Sequence, residues 1–360
     1  MFLRVFPEQL SGLVVAMHPS DFLGLVLYGV SLYSLSLLGT LVIYRVLQSR
    51  GVLDVPNERS SHTAAVPRGG GAALFATTCV GVITLLLFGQ FNVTVLAVFA
   101  ICGGAIATVG LIDDVRGASV TTRLAVHLVA ACVTAAWALF VNESVYQQQT
   151  VVVQLVLFLA ATIGIVGFLN VFNFMDGIDG LAAAEALFVG AAAAFLMQAS
   201  GKEVSDAYWL AVSIAAAAAG FMMLNWAPAR IFMGDIGSGF LGFSLAFVAT
   251  LSVFQGQLPI YVWLILTAAF TVDASLTLLM RAFRGERVYE AHRSHAYQRL
   301  SRRLGSHGRV ATLYSLVNVV WLLPLAWLSS EVPNWGIPLT LVAVAPLMIT
   351  AFALGAGKND

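Results

Sequence analysis

The sequence predicts an all-α integral membrane protein that crosses the bilayer many times, and three observations lead to this class. Hydrophobic residues make up 59% of the 360 residues, and only 10% are charged. The mean hydropathy is +0.89, and a soluble domain of this length with so little charge would expose an aggregating surface. Apolar stretches of about 20 residues, the length that crosses a bilayer as a helix, recur along the whole chain.

By this length rule the chain has about eleven predicted membrane-spanning helices. They are residues 22–47, 70–88, 92–111, 122–141, 151–169, 181–199, 207–226, 238–254, 259–281, 310–329 and 337–354. No segment between them is long enough to fold as a separate soluble domain. We therefore predict a single membrane domain over residues 1–360.

The positions of the lysines and arginines predict how the chain is oriented. Of these 18 residues, all but Arg4 and Lys202 lie in the loops on one side of the predicted bundle or in the C-terminal tail. Because basic loops stay in the cytoplasm, the N-terminus is expected to be periplasmic and the C-terminus cytoplasmic. The predicted cytoplasmic loops are 48–69, 112–121, 170–180, 227–237 and 282–309. The formal net charge is zero, so the charge of the chain does not suggest a nucleic-acid partner.

Four polar side chains lie between two apolar spans in the segment 170–180. They are Asn170, Asn173, Asp176 and Asp179, spaced three residues apart. If the segment is helical, this spacing places all four on one face. Carboxylates at the end of a membrane helix are costly to bury, so they are expected where a ligand, a metal or water meets them. The alternative is a polar turn that caps the next helix.

Further polar residues fall on the same predicted side of the membrane. Asp113 and Asp114 end the third span, Asn225 ends the seventh, and Asp235 precedes the eighth. Adjacent Asp113 and Asp114 repel each other, and a cation or a shared proton relieves that repulsion. Mg²⁺ is usually held by few carboxylates, several waters and a substrate phosphate. Together these acids predict a metal–phosphate site, although each acid alone would be explained as a helix-end residue facing water.

The loop 282–309 is rich in arginine and contains two nearby histidines. His292 and His295 are one turn apart if the segment is helical, and Arg293 lies between them. Such a segment can bind a diphosphate through charge-assisted hydrogen bonds. A basic helix lying on an anionic membrane surface is the alternative. Zinc is disfavoured because no third and fourth ligand accompany the histidines at a suitable spacing.

A glycine-rich stretch follows Arg68 at the start of the second predicted span. The three glycines 69–71 offer backbone N–H groups that could receive an anion at a helix N-terminus. A close helix–helix contact explains the same glycines equally well. Glu185 and Asp273 fall within predicted spans and are expected to face the bundle interior and pair with a neighbour. A transporter would place its ionisable sites near the middle of the membrane, and only these two acids lie that deep.

Taken together, these motifs resemble the polyprenyl-phosphate N-acetylhexosamine-1-phosphate transferases of the glycosyltransferase family 4 type. The residues of these motifs are most similar to those of the branch that initiates bacterial O-antigen synthesis. The resemblance rests on residues 55–57, 67–70, 113–114, 170–180, 225–238 and 292–295. It implies transfer of a sugar-1-phosphate from a UDP-N-acetylhexosamine to undecaprenyl or another polyprenyl phosphate, with release of UMP. It also implies Mg²⁺ as cofactor, with Mn²⁺ as an alternative, and an inner-membrane enzyme whose active site faces the cytoplasm.

The resemblance also implies a role for each matching residue. It implies Asp235 as a metal ligand. It implies catalytic roles for Asp113, Asp114, Asp176, His292 and His295. It implies substrate-binding roles for Asn173, Asp179, Asn225, Arg68 and Arg293.

Several points stay open at this level. The His-Arg-Ser-His sequence at 292–295 differs from the triple-histidine run of the peptidoglycan branch, which disfavours a muramoyl-pentapeptide substrate without removing that alternative. GlcNAc, FucNAc and QuiNAc all remain candidate sugars, and a homodimer remains open beside a monomer. A lipid phosphate with a second pKa of about 6 is mostly a dianion at neutral pH. It is therefore expected to attack the donor directly, with a covalent intermediate on the Asp113–Asp114 pair as the alternative.

Overall fold

The computed structural model describes residues 22–54, 65–141, 144–287 and 292–358. The first half contains α1 (Phe22–Ser49), α2 (Gly71–Leu87), α3 (Val93–Arg116), α4 (Val120–Ala136), α5 (Val151–Phe174), α6 (Leu181–Ala199) and α7 (Asp206–Asn225). The second half contains α8 (Asp235–Phe254), α9 (Ile260–Leu266), α10 (Ala268–Phe283), α11 (Ala296–Leu304), α12 (His307–Val317), α13 (Leu323–Glu331) and α14 (Gly336–Leu354). Strands β1 (Leu53–Asp54) and β2 (Val66–Pro67) form a short antiparallel pair.

Three short helical turns complete these elements. One π-helical turn, Trp137–Val141, extends α4, and another, Asn318–Leu322, joins α12 to α13. A 3₁₀ turn, Pro333–Trp335, precedes α14. Residues 55–64 and 288–291, which belong to two predicted cytoplasmic loops and include 55–57 of the family resemblance, lie outside the described residues. So do residues 1–21, on which the prediction for the N-terminus depends.

Several helices begin at a residue whose side chain caps the helix. A Ser, Thr or Asn oxygen accepts a hydrogen bond from a backbone N–H of the first turn, which would otherwise lack a partner. The caps are Asn92 for α3, Ser119 for α4, Thr150 for α5, Ser205 for α7 and Ser306 for α12. Local sequence therefore fixes where these helices start.

Helix α8 lies at the centre of the bundle. In the stretch of α8 that is long enough to cross a membrane, 83% of the residues are buried. The corresponding share is 11% for α5 and 17% for the last span. Its rings at Phe240, Phe243 and Phe247 pack around Phe99 of α3, with centroid distances of 5.3–6.3 Å. A helix that is apolar on all sides is expected in the interior of a membrane bundle. The site therefore forms around the end of the most buried helix.

The prediction of an all-α polytopic membrane protein is confirmed. Among the described residues, nine helices are long and apolar enough to cross a membrane, or ten if one bent pair counts as a span. That pair is α9 and α10, which meet at an angle of 75°, so the segment predicted as a span at 259–281 is bent. Helix α2 has 17 residues, fewer than the usual ~20. The count of about eleven and the orientation of the termini stay predictions.

The connecting segments gather at the two opposite ends of α8. Near its C-terminal end, Lys202 donates to the carbonyl of Gln257 at 3.0 Å, and the N–H of Val145 donates to the carbonyl of Phe254. Near its N-terminal end lie the acids that the sequence analysis singled out, described below. The acidic segments thus lie together at one end of the bundle.

Close approach of α3 to the start of α8 depends on a glycine. A Cβ added at Gly110 would lie 2.5 Å from the carbonyl oxygen of Asp235, a distance that real Cβ atoms do not tolerate. One and a half turns earlier on the same helix, Gly104 has no atom within 4 Å of its would-be Cβ. The two glycines are therefore a matched pair, one required by packing and one not.

We predict that Gly110→Ala destabilises the protein and that Gly104→Ala does not. The added methyl group at 110 must push the start of α8 away, and overpacking of this kind costs about 1–3 kcal/mol. The methyl group at 104 meets no neighbour. Thermal unfolding of both purified variants in the same detergent measures the difference. Equal melting temperatures for the two variants would contradict the required contact.

Candidate active site

Two arginines and three aspartates form one ion-pair network at the N-terminal end of α8. The Arg68 side chain lies 2.8 Å from Asp114 (Nε to Oδ1) and 2.6 Å from Asp235 (Nη2 to Oδ1). Arg123 Nη1 lies 2.8 Å from Asp113 Oδ2 and 2.9 Å from Asp235 Oδ2. Asp235 therefore bridges both arginines, and through them it joins β2, the end of α3 and the start of α4.

Asp114 also closes the N-terminus of α8. Its two carboxylate oxygens accept hydrogen bonds from the N–H groups of Asp235 (2.9 Å) and Ile236 (3.0 Å). The first N–H groups of a helix have no partner within the helix, and the helix dipole favours a negative charge there. Asp113 points elsewhere and accepts the N–H of Ala118 at 2.7 Å. The repulsion expected between the adjacent acids is thus offset by separate partners.

Asp176 lies near this network but differs from its three aspartates, because no described residue holds its carboxyl group. It lies in the loop between α5 and α6, half-buried, and within the described chain its side chain accepts no hydrogen bond. Burial raises the pKa of Asp176 well above its ordinary value, the nearby carboxylates of Asp235, Asp114 and Asp179 raise it further, and Arg68 opposes the rise. The Asp176 carboxyl is the one most open to a ligand.

The prediction that four polar residues share one helical face is wrong. Helix α5 ends at Phe174, so only Asn170 and Asn173 are helical. The Asn170 amide donates back to the carbonyl of Val166 at 2.7 Å, within its own helix. The Asn173 amide donates to Ser238 Oγ of α8 at 3.0 Å. Asn173 therefore reaches the network end of α8, whereas Asn170 does not.

Asp179 pairs with His307, a histidine outside the motifs of the sequence analysis. His307 Nδ1, at the start of α12, lies 3.1 Å from Asp179 Oδ1. The other oxygen of Asp179 accepts the N–H of Ala229 at 3.0 Å. The carboxylate thus joins the loop after α5 to the loop before α8 and to α12. A substrate-binding role for Asp179 stays a prediction.

Asn225 joins two loops through its amide. Its Oδ1 accepts the N–H of Gly180 at 3.2 Å, and its Nδ2 donates to the carbonyl of Ile231 at 3.0 Å. The side chain is 3% exposed. Both ends of this buried amide are occupied by backbone groups, which indicates a structural link between the loops. Contact with a substrate stays a prediction for this residue.

The two histidines of the loop after α10 are not on a helix, so their spacing of one turn does not apply. His292 lies in an irregular stretch and His295 is the N-cap of α11, yet their ring centroids are 4.8 Å apart. The His295 ring also lies 6.3 Å from the Phe174 ring at the end of α5. Burial lowers the pKa of His292 to about 3, with His295 and Arg281 adding to the effect. His292 is therefore neutral at neutral pH, and its Nδ1 lies 3.0 Å from the hydroxyl oxygen of Ser294.

The arginines of α11 cap another helix. Arg299 donates to the carbonyls of Leu354 (3.0 Å) and Lys358 (3.1 Å), and Arg303 donates to Leu354 at 3.2 Å. These bonds satisfy carbonyls at the C-terminal end of α14, where a positive charge is favourable. Arg293 is exposed at the start of this segment. The alternative of a basic helix lying on a membrane surface does not explain Arg299 and Arg303.

The glycine segment before α2 does not offer a free anion site. The N–H groups of Gly69 and Gly70 both donate to the carbonyl of Phe232, and that of Gly71 donates to Met233. A Cβ on Gly71 would lie 2.2 Å from the Cα of Gly237 in α8. The anion-binding alternative is therefore wrong, and the close backbone contact is correct.

Sequence reasoning missed two participants, Arg123 and His307. Arg123 was counted only as a topology signal, although it follows the Asp113–Asp114 pair by a short loop on the same predicted side. That proximity could have suggested an ion pair. His307 has no local signal, because its partner Asp179 comes from a distant segment.

The fold and the site define a polytopic membrane protein with an arginine-bridged cluster of acids at one end of its helix bundle. The model of glycosyl transferase family 4 matches residues 94–253, a range that includes all four clustered aspartates, Asp113, Asp114, Asp176 and Asp235. The chain is 30% identical over 339 residues to the decaprenyl-phosphate N-acetylglucosaminephosphotransferase of Mycobacterium tuberculosis, covering 81% of this chain and 82% of that relative. This protein belongs to glycosyl transferase family 4.

Two other relatives are informative. The probable undecaprenyl-phosphate N-acetylglucosaminyl 1-phosphate transferase of Bacillus subtilis is 27% identical over 265 residues, with 72% of this chain and 73% of the relative covered. The phospho-N-acetylmuramoyl-pentapeptide-transferase of Carboxydothermus hydrogenoformans is 31% identical over 169 residues. That match covers only 47% of this chain and 50% of the relative.

We predict that Asn225→Ala lowers thermal stability, because it leaves the buried N–H of Gly180 and the carbonyl of Ile231 without a partner. Leaving a buried polar group unsatisfied costs about 1–3 kcal/mol. Asn170→Ala is the matched control, since the Asn170 amide bonds only within α5. Differential scanning fluorimetry in detergent compares the two variants. An Asn225→Ala protein as stable as Asn170→Ala would argue against the structural link.

Proposed function

We propose that this protein transfers an N-acetylhexosamine-1-phosphate from a UDP-sugar to a polyprenyl phosphate and releases UMP. The observation that carries the proposal is the acidic network at the end of a membrane helix bundle. There, a lipid phosphate lying in the membrane surface and a water-soluble donor have access to the same side chains. The names of the M. tuberculosis and B. subtilis relatives support the acceptor and favour N-acetylglucosamine as the first sugar to test.

The charge of the site supports a divalent cation, Mg²⁺ or Mn²⁺. Four carboxyl groups face two guanidinium groups, so the acids of the site outnumber its bases by two: Asp113, Asp114, Asp176 and Asp235 against Arg68 and Arg123. A donor diphosphate and a lipid phosphate are both anionic and would be repelled by this excess. A divalent cation offsets it and would neutralise charge that develops on the phosphoryl oxygens.

The donor set also fits Mg²⁺ rather than a metal enclosed by protein. In the parts of the chain that the structure describes, no three His, Cys, Asp or Glu side chains are arranged to hold a metal ion. Mg²⁺ keeps several waters and is usually bound through one or two carboxylates plus substrate phosphates. Asp235, with Asp113 beside it, would supply those carboxylates.

The chemistry needs little from a protein base. An oxygen of the lipid phosphate attacks the donor phosphorus that carries the sugar, and the bond from that phosphorus to the UMP oxygen breaks. The attacking phosphate is already ionised at neutral pH. Arg68 and Arg123 hold the acids in place, and the uncommitted Asp176 carboxyl is left to contact substrate. Asp113 and Asp114 are bound to backbone N–H groups and arginines, which favours direct attack over a covalent intermediate on either residue.

The remaining parts of the proposal concern place and pathway. We place the enzyme in the bacterial inner membrane. We expect its site on the cytoplasmic side, because the loops at that end of the helix bundle carry most of the basic residues. The reaction would be the first membrane step in making an O-antigen or another cell-envelope polysaccharide. A homodimer stays a prediction.

A second candidate substrate is UDP-N-acetylmuramoyl-pentapeptide. The C. hydrogenoformans relative supports it, although that match covers about half of each chain. The His-Arg-Ser-His sequence at 292–295 weighs against it. A direct comparison of donors decides between the two.

We predict UMP release when the purified protein receives Mg²⁺, undecaprenyl phosphate and UDP-GlcNAc. Other UDP-N-acetylhexosamines and UDP-N-acetylmuramoyl-pentapeptide are tested in parallel, and mass spectrometry identifies the lipid product. Absence of product with every donor would overturn the proposed reaction. Without lipid phosphate, direct attack predicts no UMP. A burst of UMP equal to the enzyme concentration would instead establish a covalent intermediate.

We predict that Asp235→Asn lowers kcat by at least about 100-fold, because it removes a metal ligand worth several kcal/mol. Chelation by EDTA should abolish turnover, and added Mg²⁺ or Mn²⁺ should restore it. Asp206→Asn is the matched control: Asp206 is also the first residue of a membrane helix, but it lies at the opposite end and accepts the N–H of Asn92. A folded Asp235→Asn protein with normal turnover would refute the metal assignment.

A further inference from the structure

A buried carboxylate outside the acidic network organises the histidine segment. Asp273 of α10 is 2% exposed. Its oxygens accept the N–H groups of Ala296 and Tyr297, each at 2.8 Å, and the hydroxyl of Tyr314 at 2.7 Å. One side chain thus caps the start of α11 and ties it to α12 and α10.

The same carboxylate faces His295. The Nδ1 atom of His295 lies 3.5 Å from Asp273 Oδ1. The His295 ring packs between the rings of His292 and Phe174, and the Tyr297 hydroxyl donates to the carbonyl of Phe174 at 3.0 Å. Phe174 is the last residue of α5, directly before the loop that carries Asp176. Asp273 therefore sets how the histidine segment lies against that loop.

The start of α11 packs closely against the loop that carries Asp176. A Cβ on Gly177, next to Asp176, would lie 2.1 Å from the Tyr297 hydroxyl, so the loop and the start of α11 are in direct contact. Asp273 holds the backbone that directly follows His295 through the N–H groups of Ala296 and Tyr297, and its Oδ1 lies 3.5 Å from His295 Nδ1 without forming a hydrogen bond. The position of His295 thus depends on a carboxylate of α10.

We infer that Asp273 is a positioning residue, which acts through His295 to hold the 292–297 segment against the Asp176 loop. Its hydrogen bonds go to α11 and α12 rather than to Asp113, Asp114, Asp176 or Asp235, and we assign it no catalytic role. The part of this inference that concerns turnover rests on the proposed transferase function. The part that concerns the placement of His295 does not.

The alternative is that Asp273 is only a helix cap, and Asp273→Asn separates the two roles. Asparagine has the same size and keeps one oxygen to accept a backbone N–H, so it remains a good cap. It loses the charge that faces His295. Glu185→Gln is the matched control, because Glu185 is another buried carboxyl of the bundle. Its carboxyl accepts a hydrogen bond from Asn318 rather than from the backbone of the 292–297 segment.

The first test does not need activity. Diethyl pyrocarbonate modifies accessible histidine rings, and peptide mass spectrometry gives the rate at His295, which is 2% exposed in the native fold. We expect Asp273→Asn to raise this rate severalfold, Tyr314→Phe to raise it less, and Glu185→Gln to leave it unchanged. Equal rates in wild type and Asp273→Asn would overturn the inference. Should Asp273→Asn fail to fold, Tyr314→Phe decides in the same way.

The second test is a double-mutant cycle on turnover. A residue that acts through His295 should lower kcat about tenfold when replaced by asparagine in the wild-type background. In a His295→Ala background the same replacement should change kcat less than about twofold. A tenfold loss in both backgrounds would show a purely structural role and overturn the inference. Wild-type protein that turns over no donor would refute the proposed function, and the modification rates would still decide the placement of His295.

Discussion

The contact between Asp114 and the N-terminus of α8 is the interaction on which the site depends. It replaces the missing intrahelical partners of two N–H groups with a carboxylate, at the end of the most buried helix. The same carboxylate pairs with Arg68, which also pairs with Asp235. Burying a carboxylate at a membrane helix end is costly unless it is paired and hydrogen-bonded. Here the hydrogen bonds and ion pairs of Asp114 offset that cost. They also fix the positions of β2, α3 and α8 relative to one another.

Close backbone packing makes those contacts possible. Gly110 lets α3 approach Asp235, and Gly71 lets α2 approach Gly237, two residues further along α8. Both glycines lie where a methyl group would push α8 away from the arginine or the carboxylate that holds it. Packing and electrostatics are therefore not separable at this end of the bundle. A change in helix spacing alters every ion-pair distance in the network.

The fold was predictable because membrane-spanning length and apolarity are local properties of a segment. The set of acids was predictable for a related reason, since charged groups at membrane helix ends are expensive and seldom incidental. Their partners were not predictable. Arg123 with Asp235 and His307 with Asp179 join segments more than a hundred residues apart, and no local pattern encodes such a pairing. The helical reading of 170–180 failed because α5 ends at Phe174, before the two aspartates.

The ion-pair network contains more aspartates than arginines, and backbone N–H groups supply the remaining partners. Two arginines suffice to hold three aspartates in place, because Asp114 is further stabilised by helix N–H groups and Asp113 by the N–H of Ala118. Asp176 then remains without a committed partner among the described residues, beside an excess of negative charge. The acid left over, Asp176, is thus the one whose carboxyl group no described residue holds, and burial together with the neighbouring carboxylates raises its pKa.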